Sequence, residues 1–161
     1  MKIKFFLWLT VIIFCFHLGG HLFDMIANQP NWKSGEIADV SRLRDFYAQS
    51  SPKNFFIYLV MGGPIINLFS FILVWNIGNR TKWFFGLSFI ISVIIAIFTV
   101  GFFVPINEYI FNTINYDPIK LKELVFKWIA MENLRVVIIA LGTLSSILGV
   151  NAYTKIKSSV K

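Results

Sequence analysis

Charge is what this chain has least of. Only 14% of its 161 residues are Asp, Glu, Lys or Arg, against 57% hydrophobic, where an ordinary soluble domain carries about 25% charged residues. That shortage excludes a soluble domain of usual make-up. Cysteine is nearly missing as well: Cys15 stands alone, so no internal disulfide can form and the redox compartment stays open. His17 and His21 are the only histidines. With no second pair and no cysteine cluster, a zinc site would have to borrow carboxylates to reach its usual four ligands, and a bis-histidine haem would need imidazoles on different helices. The phosphate-cradling, nucleophile-elbow and metalloprotease motifs (G-x-G-x-x-G, the P-loop, G-x-S-x-G, H-E-x-x-H) are all absent from the sequence, which weighs against phosphate-driven transport and soluble-type hydrolysis. Solenoid-period repeats and low-complexity tracts are absent too. The formal charge of +7 does not imply nucleic acid, because many basic residues sit at the ends of apolar runs, where they anchor and orient helices.

What the chain does have is long apolar runs. Residues 5–26, 54–75, 83–104 and 134–153 each meet the roughly 20 residues needed to cross a bilayer. The composition therefore predicts an all-α membrane-spanning four-helix bundle in one integral-membrane domain over 1–161. A signal peptide is the competing reading of Met1-Lys2-Ile3-Lys4 and the apolar run behind it. No A-x-A site follows, and the run passes Gly19-Gly20 to Ile26, longer than the roughly 7–15 residues of a signal core. The two long connections, 31–53 and 107–132, are each too small to bury a core alone. Each offers an amphipathic helix: Ile37, Val40, Leu43 and Tyr47 share one face, and Leu121, Leu124, Val125 and Trp128 another, as expected for helices lying at a membrane surface. Asp117 before Pro118 has the arrangement of a helix cap. Trp32, after Pro30, suits a headgroup-level anchor. Lys2, Lys4, Arg80, Lys82, Lys155, Lys157 and Lys161 crowd the short segments with no acid among them, which predicts an inner cell membrane, multi-pass protein with both termini cytoplasmic.

At about 100° per residue, His17, His21, Asp24 and Asn28 fall on one stripe of the first helix. Gly63, Asn67 and Ser70 do so on the second, Ser88, Ser92 and Thr99 on the third, and Arg135, Gly142, Ser146 and Gly149 on the fourth. Such stripes should converge on a shared axis, and small residues in them let backbones approach. Gly62-Gly63-Pro64 predicts a kink. The outer ends of the first, third and fourth helices would bring His21, Asp24 and Asn28 level with Asn107, Glu108, Glu132, Asn133 and Arg135. Charges of both signs gather there, and Arg135 is expected to pair with Asp24, or else with Glu132, since an unpaired charge at membrane depth is costly. His21 beside Asp24 has the pairing that orients an imidazole for proton transfer.

These residues resemble a family. Pro30-Asn31-Trp32, Thr99-Val100-Gly101-Phe102-Phe103-Val104-Pro105, and Trp128 with Asn133-Leu134-Arg135 are similar, over nearly the whole chain, to the small four-helix membrane proteins grouped with anthrone oxygenases, most bacterial members of which have no assigned function. The family often has a Trp-Asn pair with Arg three residues after the Asn. Here those positions read Met131, Glu132 and Arg135, with Asn133 displaced by one. The resemblance implies cofactor-independent oxygenation of an activated aromatic carbanion, with His21 or Glu132 as the base.

The expectation is thus a polar pocket at the outer end of the bundle that binds or oxygenates a hydrophobic aromatic small molecule. His21 and Glu132 are the catalytic candidates, and His17, Asp24, Asn28, Asn107 and Arg135 the substrate-binding ones. No cofactor is expected, since haem, quinone and metal find no support in the residues. The partners are the lipid bilayer and a hydrophobic small molecule, not nucleic acid, with a homo-oligomer or membrane complex compatible. The alternative is a non-catalytic membrane subunit or partner-binding protein whose polar residues only lock helices.

Overall fold

The computed structural model describes residues 2–113 and 115–159. Lys161, counted above for orientation, and Ile114, in the turn of the second connection, lie outside them. The described residues form helices and connecting turns with no strand: α1 (Lys2–Phe23), α2 (Ile37–Phe46), α3 (Lys53–Val74), α4 (Asn79–Phe98), α5 (Val104–Asn112) and α6 (Pro118–Ser159). A π-helical turn, Asp24–Asn28, and a 3-10 turn, Gln29–Asn31, prolong α1. A second π-helical turn, Thr99–Phe103, joins α4 to α5. Four helical stretches are long and apolar enough to cross a membrane: this is a multi-pass membrane bundle. α1 packs on α3 and α6, α3 packs on α4, and α4 packs on α6, which closes the four into a ring.

The polar stripes do face inward. Thr10 and Ser70 share a hydrogen bond of 2.8 Å, and the Ser70 hydroxyl donates to the Phe6 carbonyl at 3.0 Å. Ser145 reaches across from α6 to the Phe84 carbonyl at 2.8 Å. The bundle also holds two apolar layers, one of Leu7, Val11, Val74, Phe85, Val150 and Tyr153 and one of Phe14, Ile91, Ile95 and Ile139. Phe5, Trp8, Phe16, Phe69, Ile97 and Leu141 point outward, where lipid is the apolar solvent. α3 runs unbroken through Pro64, with the Asn67 amide donating to the Gly63 carbonyl.

Three expectations are corrected at the end where the long connections lie. The amphipathic stretch 119–131 is not a separate helix but the first part of α6, whose 42 residues extend on the order of 60 Å, twice a hydrocarbon core. The reason is local: no glycine or proline occurs between Ile119 and Leu141, and continuing a helix is far cheaper than nucleating a new one. Its start is capped as predicted, since the Asp117 carboxylate accepts from the backbone N–H of Ile119 and Lys120 at 2.9 and 3.2 Å. Trp32 is no headgroup anchor. It is 2% exposed, packed edge-on to Trp128 with ring centres 5.0 Å apart. Neither connection could bury a core alone, yet together with the helix ends they build one from Trp32, Val40, Leu43, Phe103, Ile110, Leu121, Val125 and Trp128. α2 therefore turns Val40 and Leu43 onto this cluster rather than onto lipid.

Candidate functional site

Two helices supply the centre of the site, each through a pair of residues one turn apart. On α1, His17 and His21 are 4% and 3% exposed; on α6, Glu132 and Arg135 are 0% and 6% exposed. One-turn spacing stacks both members of each pair on a single helix face, and the α1–α6 contact brings the faces together. His21 Nδ1 lies 2.6 Å from Glu132 Oε1. The other carboxylate oxygen, Oε2, accepts from Arg135 Nη2. Arg135 also donates through Nη1 to Thr99 Oγ1 at 3.3 Å, and its guanidinium carbon sits 3.5 Å above the centre of the Phe103 ring. Thr99 opens the π-helical turn in which Phe103 is the last residue. Such a turn also precedes Pro105, whose ring would otherwise clash with a carbonyl one turn back.

The pairing settles the imidazole's tautomer. A carboxylate held by a guanidinium is an acceptor only, so Nδ1 of His21 must be the donor. In the neutral ring Nε2 then carries the lone pair, as in other histidines oriented by a carboxylate. That nitrogen is buried and has no hydrogen-bond partner among the described residues, and the same holds for His17 Nε2 and Arg135 Nε. The two imidazole ring centres are 5.1 Å apart. Phe56 of α3 stacks on His21, with ring centres 4.3 Å apart and planes within 19°.

Phe56 also lines a cleft of about 670 Å³ between the end of α1, the end of α2 and the start of α3, together with Asp24, Asn28, Tyr47 and Phe55. The Asn28 amide donates to Asp24 Oδ1 at 2.9 Å. The Tyr47 hydroxyl is buried without a partner among the described residues. Burial, and secondarily the negative charge of Asp24, push its pKa up to about 12.

Of the residues singled out from the sequence, His17, His21, Glu132 and Arg135 come together. Asp24 and Asn28 stand one turn further along on the cleft. Asn107 is elsewhere: it accepts from Trp128 Nε1 at 2.8 Å in the aromatic cluster. The expected Asp24–Arg135 pair does not form, because Glu132, three residues before Arg135 on the same helix, already holds the guanidinium. The imidazole is oriented by Glu132 rather than by Asp24. Phe56 was missed, since nothing separates it by sequence from the other phenylalanines among 18; Phe103 stands in the Thr99–Pro105 stretch, but nothing there gives it a place beside Arg135. Thr99 did carry a signal, as the last polar residue of its helix stripe.

A family model described as Anthrone oxygenase matches residues 51–145, more than half of the chain. The match runs from the approach to α3 into α6, and includes Phe56, Thr99, Glu132 and Arg135; His17 and His21 precede it. No curated protein and no solved structure matches the chain. On the extent of that match, the chain belongs to the anthrone oxygenase family.

Proposed function

We propose that this protein oxygenates an aromatic compound carrying an acidic C–H, of the anthrone kind, with His21 as general base and no cofactor. The observation that supports this most is the His21–Glu132 contact of 2.6 Å, with Nε2 of the same ring buried and unpartnered among the described residues. A base needs a lone pair presented to the substrate and a partner that steadies the imidazolium once the proton arrives. Glu132 is that partner. Phe56 is the wall shared by the imidazole and the cleft, and an aromatic substrate would stack in its place beside His21.

The chemistry balances with dioxygen as oxidant. Removing a proton from the ring CH2 leaves a carbanion, which transfers an electron to dioxygen and recombines with it at the same carbon. Protonation gives a hydroperoxide, and loss of water from it leaves a carbonyl, so that CH2 and O2 become C=O and H2O. The spare N–H of Arg135 is the kind of fixed donor that stabilises oxyanion character as it develops.

The test is dioxygen uptake and quinone absorbance with unsubstituted anthrone and the purified protein in lipid vesicles. His21→Gln is expected to lower the protein-dependent rate on the order of 10²-fold, with the thermal midpoint followed alongside. An unchanged rate in a folded variant, or a wild-type rate equal to that of empty vesicles, would remove the enzyme reading and leave the polar cluster as a helix lock.

The proposed setting is the inner cell membrane with both termini cytoplasmic, supported by the acid-free basic residues Lys4, Arg80, Lys82, Lys155 and Lys157 in the short segments. In a Cys15→Ser background, a cysteine at Ser51 should react with an impermeant thiol reagent in intact cells and one at Ser158 should not. The reverse pattern inverts the topology.

A further inference from the structure

Asp24 is left over by the site just described. It opens the π-helical turn at the end of α1, and ionisable groups in membrane helices normally face a partner or a ligand. Its one side-chain hydrogen bond among the described residues is the amide of Asn28. No described Lys, Arg or His nitrogen lies within ion-pair distance of it, because the salt bridges near this end of the bundle join His21 and Arg135 to Glu132. Arg135 and Glu132 act on Asp24 only from further off and with opposite sign.

The surroundings of this carboxylate have a definite chemistry. The cleft it lines carries five aromatic rings, Phe23, Phe46, Tyr47, Phe55 and Phe56, and no basic residue. Ring faces are electron-rich and attract cations, most strongly where water is scarce. A carboxylate among them adds a full negative charge. Anions meet repulsion and no donor of positive charge. The volume, about 670 Å³, is that of a pocket for a drug-sized molecule. Phe23 and Phe46 are 65% and 76% exposed, so the rim is apolar and suits a ligand arriving with an apolar body.

We infer that the cleft binds a lipophilic organic cation, its charge against Asp24 and its apolar groups among the five rings. This does not rest on oxygenation, since the charge it uses is that of Asp24, whose hydrogen bond is to Asn28, while the His21 base is held by Glu132.

Tetraphenylphosphonium is a suitable probe, titrated calorimetrically into the full chain in mild detergent. One saturable site per chain is expected. Asp24→Asn should weaken binding about tenfold or more, as should replacing the probe by neutral triphenylphosphine oxide, a loss of about 1.4 kcal/mol or more. Phe46→Ala, at an exposed ring where folding is not at stake, should weaken it several-fold. His21→Gln should bind as the wild type does, which separates failure of this inference from failure of the oxygenase reading. Absence of saturable binding to the wild type, equal affinity of Asp24→Asn, or equal affinity for the neutral oxide would each overturn the cation site.

Discussion

Glu132→Ala is expected to destabilise the bundle by about 3–5 kcal/mol, the range for removing one member of a buried ion pair. The carboxylate is fully buried and is shared by His21 on α1 and Arg135 on α6 itself. Truncating it leaves a guanidinium that is 6% exposed with only Thr99 and the face of Phe103 as company. It also strands the Nδ1–H of His21. The cost therefore comes mainly from the uncompensated charge left behind, not from the attraction lost. Replacing both partners, Glu132→Leu with Arg135→Met, removes the charges together and should cost less than Glu132→Ala alone. Unfolding in mixed micelles, read as a double-mutant cycle, measures this coupling. A double replacement costing the sum of the two singles would mean that the pair is not a unit, and would take with it the argument that Glu132 is held ionised for His21.

The second large effect is steric. A Cβ on Gly142 of α6 would stand 2.3 Å from Phe14 Cε1, 2.7 Å from Phe14 Cζ and 2.9 Å from Ile91 Cγ2. Phe14 and Ile91 are 2% and 7% exposed and are packed in one layer with Ile95 and Ile139, so neither has free space to move into. Alanine in mid-helix gains about 0.5–1 kcal/mol over glycine, while overpacking a tight core costs about 1–3 kcal/mol. Gly142→Ala should come out destabilised, and Gly142→Leu should lie at or beyond the top of that overpacking range. Gly19→Ala is the internal control, because a Cβ there meets nothing within 4 Å: it should be neutral or mildly stabilising in the same assay. Equal behaviour of the Gly19 and Gly142 variants would show that α1, α4 and α6 do not approach closely at Gly142.

These two positions also mark how far reading the chain alone could go. The class of the protein was determined by composition and length: four apolar runs of about 20 residues with few charges are insoluble as anything but membrane helices. Periodicity then determined which face of its own helix each residue occupies. That is why the sequence alone puts His17 with His21, and Arg135 in line with Gly142, on inward faces. The Asp117 cap was legible for the same reason, since a cap involves only its immediate neighbours in the chain.

Only the tertiary structure decided what each inward face would meet. A helix's face is written in its sequence, but its height and rotation against another helix depend on how side chains from both interlock. Arg135 could have been neutralised by Asp24 across the bundle or by Glu132 on its own helix; the local partner is three residues away, whereas the distant one required two helix ends to align. That single outcome gave His21 a carboxylate and left Asp24 on the cleft. Phe56 and Trp32 followed the same rule. Their neighbours cannot be read from the chain, and one became a wall of the site and the other part of an aromatic cluster, because burial there depended on surfaces brought together from helices far apart in sequence.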